Sequence, residues 1–300
     1  MMTMVMTVPP AHHHPTPLYN KRIAFTTPLT YARRLGHLLQ LHGSNPLWCP
    51  TIVVEPTPRT KTSIKPYLQN PLLNSFSAIA FTSRTGISAF SESLSETETS
   101  PLSETGDTFT ISALGKDAEL IDQGFISKLC KNPDRIRVLI PPISTPEGMA
   151  ASLGTGSGRR ILCPSPLVID LDEPPVIPDF LRVLTSKGWV PVKVPVYETR
   201  WAGPTCGTAL MEEEVLDAIV FTSTGEVEGL LKSLRELGFD WGMMRKRWPG
   251  LVVATHGPVT ASGAESLGVG VDVVSSRFGS FDGVVDALAA RWGEFSDVQK

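Results

Sequence analysis

The chain has 300 residues, 41% hydrophobic and 19% charged, with a formal net charge of -3. That length exceeds one comfortable core and favours two domains of similar size. No run of about 18 apolar residues exists to span a bilayer, and without an overall basic field the chain does not read as a dedicated nucleic-acid binder.

Residues 1–20, with His12 to His14 and no acidic group, read as a disordered tail. They have neither the continuous apolar stretch of a secretory signal nor the Arg and Ser richness of an organelle transit peptide. Arg22-Ile-Ala-Phe-Thr-Thr-Pro predicts a short buried strand and a turn, followed by a helix over 30–42 with Leu35, Leu38, Leu39 and Leu41 for its apolar face, ended by Gly43. The stretch from Pro46 to Pro56 predicts a second strand, whose prolines suit an edge or a connector, and a helix is expected around 61–68. Ala78-Ile-Ala-Phe-Thr-Ser-Arg-Thr-Gly then reads as a buried strand running through a hydroxyl-rich turn into an amphipathic helix. Ser95 to Asp107 is a polar surface loop. A strand from Thr108 ends at Gly115, a helix follows over 116–129, a strand lies at Arg137, and Pro146 stands just inside another helix start. Gly154 to Gly158 connects the halves.

The second half repeats the first. Arg160-Ile-Leu-Cys-Pro-Ser-Pro has the form of the Arg22 strand, and a helix over 178–187 is closed by Gly188. In the strand from Trp189, Pro191 and Pro195 answer Pro46 and Pro50. Ala218-Ile-Val-Phe-Thr-Ser-Thr-Gly echoes the Ala78 unit, and Leu251 to Gly257 echoes the strand that ends at Gly115. The offsets Arg22 to Arg160, Ala78 to Ala218 and Gly115 to Gly257 are 138, 140 and 142. Near-constant spacing over three strand–turn–helix units implies an internally duplicated α/β protein. Its sheets should be parallel and covered on both faces by helices.

Ligands of open parallel sheets sit beyond the carboxyl ends of the strands. Here those positions are Thr82-Ser83-Arg84, Gly115-Lys116, Thr222-Ser223-Thr224 and Gly257 with Thr260. Hydroxyls, glycines and helix-start N–H groups suit an anionic ligand. None of these turns is a dinucleotide or Walker-type loop. Cys49, Cys130, Cys163 and Cys206 stand singly, giving no metal spacing and no disulfide framework. Each candidate has a structural alternative: Ser and Thr are also the preferred helix caps, and Arg84 either meets a ligand carboxylate or faces solvent. His256, beside one of the turns, is taken as structural. Tyr197 stands where the first copy has Ile52, so the duplication places a phenol on one side only; a tyrosine packed at a domain boundary is the alternative.

With these residues in view the chain resembles uroporphyrinogen-III synthase, most closely its plant type. The resemblance rests on Arg22 to Pro28, Ser77 to Ile87, Ala113 to Leu120, Tyr197 to Pro204, Ala218 to Leu231 and His256 to Ala261 taken together. It implies two similar α/β domains, one discontinuous over 21–52 plus 200–296 and the other over 56–195. They would be joined by a two-stranded ladder of Thr51 to Glu55 with Pro195 to Thr199. It also implies a monomeric lyase that cyclises hydroxymethylbilane to uroporphyrinogen III without cofactor or metal, in the plastid, with the cytoplasm as the alternative because residues 1–20 make a poor transit peptide. Tyr197 matches the family tyrosine thought to assist the departing hydroxyl, and Thr260 matches a family threonine. The equivalent after the other glycine turn is Ala118, which shifts the expected work toward main-chain donors and shape. A non-catalytic binder of tetrapyrrole or other polycarboxylate ligands is the rival expectation.

Overall fold

Alternating buried strands and amphipathic helices build two parallel-dominated sheets in the computed structural model, which describes residues 16–69, 71–277 and 279–297. The first half runs β1 (Arg22–Phe25), α1 (Leu29–Leu41), β2 (Asn45–Trp48), β3 (Ile52–Glu55), α2 (Pro58–Gln69), β4 (Ala78–Phe81), α3 (Arg84–Ser95), β5 (Phe109–Ala113), α4 (Gln123–Leu129), β6 (Ile136–Leu139) and α5 (Pro146–Leu153). The second runs β7 (Arg160–Ile169), α6 (Val176–Ser186), β8 (Val190–Trp201), α7 (Thr205–Met211), β9 (Ala218–Phe221), α8 (Thr224–Glu236), α9 (Trp241–Arg247), β10 (Val252–Thr255), α10 (Pro258–Ser266), β11 (Val273–Val274) and α11 (Asp282–Asp297).

Lobe 1 is built on the five-stranded sheet β2-β1-β9-β10-β11, and lobe 2 on the six-stranded sheet β3-β8-β7-β4-β5-β6. Leaving out β3, the two orders correspond strand for strand, with β1, β2, β9, β10 and β11 answering β7, β8, β4, β5 and β6. Register agrees as well: Ala218 pairs with Ile23 and Val252, and Ala78 pairs with Ile161 and Thr110. The duplication is therefore one of topology, with lobe 2 a circular permutation of lobe 1. In both, strand order reverses at one place, between β1 and β9 and between β7 and β4.

Each sheet is buried on two faces, as parallel sheets must be. In lobe 1, Ala24, Ile219, Phe221 and Val253 fill one side, and Ile23, Phe25, Val220 and Ala254 the other. In lobe 2, Ile79, Phe81 and Ile111 oppose Ala78, Ala80 and Ile161. Residues 1–15 of the expected tail lie outside the described residues. Residues 17–20 form a turn, and Leu18 is fully buried in the lobe-1 core, so order begins ahead of residue 21.

Two expectations are corrected. The helix over 116–129 is broken into a 3-10 turn (Gly115–Leu120) and α4, because Asp122 caps the latter by accepting from the Phe125 N–H at 2.8 Å. The connector is also more than a two-stranded ladder. β3 pairs antiparallel with β8 from Ile52↔Trp201 to Glu55↔Glu198, a register further along β8 than Pro195 to Thr199. On the opposite side, β7 continues past a bulge at Ser165/Pro166 and pairs with β8 from Pro166↔Tyr197 to Ile169↔Arg200. Three strands thus bridge the lobes. Pro191 and Pro195 precede the segment flanked by β3, so β8 has only β7 beside it there, and their missing N–H groups leave no central ladder unpaired.

Candidate active site

Both strand-order reversals end in the same local structure. Phe81 and Phe221 close their strands, and the chain turns through Thr-Ser into α3 and α8. Ser83 and Ser223 are extended caps, with φ of -152° and -150°. Ser83 Oγ accepts from the Gly86 N–H at 3.1 Å, and Ser223 Oγ from the Glu226 N–H at 3.4 Å. The capping alternative therefore holds for these two serines, and it also fixes their hydroxyls at the rim.

The rims face one cavity of about 460 Å³ between the lobes. Thr82, Ser83 and Thr85 line it from lobe 2, Thr222, Ser223, Thr224 and Thr260 from lobe 1, and Tyr197 from the connecting strand. Tyr197 is only 7% exposed, and its hydroxyl lies 3.1 Å from Ser83 Oγ. Burial pushes the phenol up to about 12, with Ser83 opposing, so Tyr197 is neutral near pH 7 and keeps a proton to donate. Thr260 Oγ1 donates to the Thr222 carbonyl at 3.2 Å, tying the two lobe-1 turns together. Ala118, buried at the equivalent place, has no hydroxyl for such a tie.

Four sequence-predicted residues do not line the cavity. Arg84 turns to Asp117, with a closest approach of 3.8 Å. Lys116 lies in the 3-10 turn behind it, opened by Gly115 at φ +48°, a backbone region that favours glycine. Gly257 is the extended N-cap of α10. The His256 ring packs against Phe281, centroids 5.0 Å apart.

Other lining groups were not singled out from sequence. Tyr31 of α1 reaches across the cavity, its hydroxyl 3.2 Å from Thr85 Oγ1 of the other lobe. Ser165 lies between two prolines at the β7 bulge. Glu226, 1% exposed, accepts from Thr26 Oγ1 (2.7 Å), the Thr222 N–H (2.8 Å), Thr222 Oγ1 and Ser223 Oγ (3.2 Å). Burial raises its pKa against these four donors. Its signal was the capping-box spacing Ser223-x-x-Glu226. Lys193 is a cation on the cavity wall, held by Glu173.

Two doubly wound lobes whose switch points open on a shared cavity define a two-lobed α/β cleft protein. Solved structures repeat that architecture. A mutant uroporphyrinogen III synthase from the extremely thermophilic bacterium Thermus thermophilus superposes with a TM-score of 0.52 at 17% identity, covering 92% of this chain and 98% of its own. The uroporphyrinogen-III synthetase of Helicobacter pylori superposes with a TM-score of 0.53 at 13% identity, covering 90% and 99%. At such identities these likenesses establish the fold. No curated protein sequence matches the chain significantly. The family model for uroporphyrinogen-III synthase HemD matches residues 33–284. The chain belongs to the uroporphyrinogen-III synthase family and is an enzyme of that type, a lyase.

Proposed function

We propose that this chain cyclises hydroxymethylbilane to uroporphyrinogen III, with inversion of ring D and loss of water. The observation that carries this reading is the buried, neutral Tyr197, held by Ser83 on the wall of the interlobe cavity of a family member. The substrate's hydroxyl must leave as water to give an azafulvene. Ring D then attacks through its substituted carbon, and the spiro intermediate rearranges before closure. Ser83 as donor to the phenol oxygen leaves the Tyr197 proton for the departing hydroxyl, so one group serves as general acid. The rest of the work is positioning. A cavity walled by hydroxyls, turn N–H groups and Pro28, Pro146, Pro164, Pro166 and Pro174 holds a reactive chain in one curl. A monomer is the working unit in this reading, because both rims come from a single chain.

The test is product analysis. Purified protein given fresh hydroxymethylbilane diverts product from the spontaneous I isomer to the III isomer. An unchanged isomer ratio sinks the reading, and ligand binding without diversion would favour a carrier of polycarboxylates.

A further inference from the structure

The duplication supplies its own picture of a bound carboxylate. In lobe 1 the Glu226 carboxylate sits at the start of α8 and takes hydrogen bonds from Thr26, Thr222 and Ser223. At the offset of 140, the lobe-2 counterparts of Thr222, Ser223 and Glu226 are Thr82, Ser83 and Gly86. The hydroxyl-bearing turn is kept and the carboxylate is removed. A Cβ added at Gly86 would lie 3.2 Å from Ser83 Oγ and 3.7 Å from the Pro164 carbonyl, beside the place where Glu226 reaches its own serine in lobe 1.

The lobe-2 cradle is also left with unmet hydrogen-bonding capacity. Ser165, next to Pro164, lines the cavity at 5% exposure, and its buried Oγ has no partner among the described residues. Its lobe-1 counterpart, Thr27, is likewise unpartnered but does not line the cavity. A buried hydroxyl without a partner keeps its desolvation cost uncompensated, so a ligand that satisfies Ser165 removes a penalty already present in the fold.

We propose that the lobe-2 cradle beside Ser83, whose own proton is held by Tyr197, is a subsite for one carboxylate of the ligand with Thr82 and Ser165 as its hydroxyl donors, and that Glu226 closes the matching cradle in lobe 1. The two rims are then unequal. Lobe 2 grips an acidic side chain next to Tyr197, while lobe 1 offers a self-satisfied wall along which the rest of the ligand can move. The identity of the ligand as a linear tetrapyrrole rests on the proposed function; the carboxylate subsite does not.

Two measurements test this. In the wild-type protein, titration with propionate at constant ionic strength shifts the amide resonances of Thr82, Ser83 and Ser165 and leaves those of Thr222 and Ser223 in place. Equal shifts in both turns, or none in lobe 2, overturn the proposal. Separately, Gly86→Glu installs the lobe-1 carboxylate in lobe 2, with Gly86→Ala as the control for the added Cβ. Calorimetry with uroporphyrin, a stable octacarboxylate, gives Gly86→Glu an affinity roughly ten- to hundredfold below Gly86→Ala, the range of hydrogen bonds to a charged group. Equal affinities of the two variants, or no binding by the wild type, overturn it. Isomer analysis keeps the two readings apart. Propionate and uroporphyrin results as expected without isomer diversion retain the subsite and remove the synthase reading. Diversion with equal variant affinities does the reverse.

Discussion

Tyr197 and Glu226 are both buried acids, yet they face different partners and so do different work. Tyr197 has one hydroxyl neighbour, Ser83, and a phenol pushed up to about 12. Tyr197→Phe is expected to lower kcat by about 100- to 10,000-fold, the scale of one general acid, while costing about 1 kcal/mol of stability, the worth of one hydrogen bond. Stopped-flow turnover beside thermal unfolding checks this, and unchanged kcat would remove the phenol from the chemistry. Glu226 is instead surrounded by donors, so Glu226→Ala should destabilise the fold by about 3 kcal/mol by stranding them in a dry site. Its titration has a definite sign. Burial raises the folded pKa above the ordinary 4.5, so the native state binds the proton more tightly than the unfolded state does. The stability it contributes is fully present below pH 4.5 and falls as pH rises through the raised folded value. Glu226→Gln should remove that decline. The stability difference between wild type and Glu226→Gln, followed by denaturant unfolding from about pH 4 upward, should therefore change in this direction; a flat difference would place the carboxylate in a more solvated setting than the structure gives it. Glu213 runs the other way, because its hydrogen bond to Arg22 lowers its pKa, and its contribution is lost as pH falls. Comparing the two chains at each pH cancels it.

At the scale of elements, the fit of α8 against the connector decides where the lobe-1 rim stands. A Cβ at Gly229 would lie 2.6 Å from the Thr51 backbone oxygen, and Thr51 Oγ1 donates to the Glu226 carbonyl at 2.8 Å in the same seam. Gly229→Ala must therefore push the helix off the strand. A loss of about 2 kcal/mol is expected, the usual scale of overpacking. Chemical denaturation checks it, and an unaffected midpoint would mean the seam yields freely. The same seam illustrates what could be read from the chain alone. Strands such as Ala78–Phe81 and Ala218–Phe221 announce themselves as short apolar runs, and their echo at a near-fixed offset carried the duplication. The Thr-Ser turns were legible for the same reason, since a strand running into a capped helix has a local signature. Connector register was not legible. It depends on a bulge at Ser165/Pro166 that no local pattern announces, and on β7 continuing where its prolines suggested a stop. Arg84 and Lys116 could not be placed either, because a turn's sequence says which groups are present and not how the 3-10 segment turns Lys116 away and brings Asp117 to Arg84 at the start of α3. Glu226 was missed for a different reason. Within an amphipathic helix it reads as a solvent-facing charge, and the approach of Thr26 and Thr51 from the far end of the sequence is not visible locally.

Over the whole molecule, the cavity depends on the angle between the lobes, and polar contacts among the described residues help to hold that angle. Beyond the shared strands, the tip of β7 docks on α8. The Asp172 N–H donates to Glu228 at 2.8 Å, Lys232 Nζ donates to the Asp170 carbonyl at 2.9 Å, and the same ammonium lies 4.7 Å from the centre of the Trp201 ring. Trp201 in turn donates from Nε1 to Ser233 Oγ at 2.9 Å, so the connector, the tip and α8 form one bracket. On the far side of the cavity, Tyr31 and Thr85 make the matching contact. Exposed polar contacts of this kind are each worth about 0.5–1 kcal/mol, enough to bias an interlobe angle and too little to freeze it. A double variant, Glu228→Ala with Lys232→Ala, should therefore leave each lobe folded and widen the distribution of angles. Small-angle scattering of the free protein should give a larger radius of gyration than the wild type, with the difference shrinking when uroporphyrin is bound. KM should rise roughly three- to tenfold, the conformational cost of restoring an angle biased by about 1 kcal/mol, with kcat less affected because Tyr197 and Ser83 both belong to the lobe-2 sheet and its α3 rim. A fall in kcat at unchanged KM would mean the bracket acts on the chemistry itself and not on the closing of the lobes.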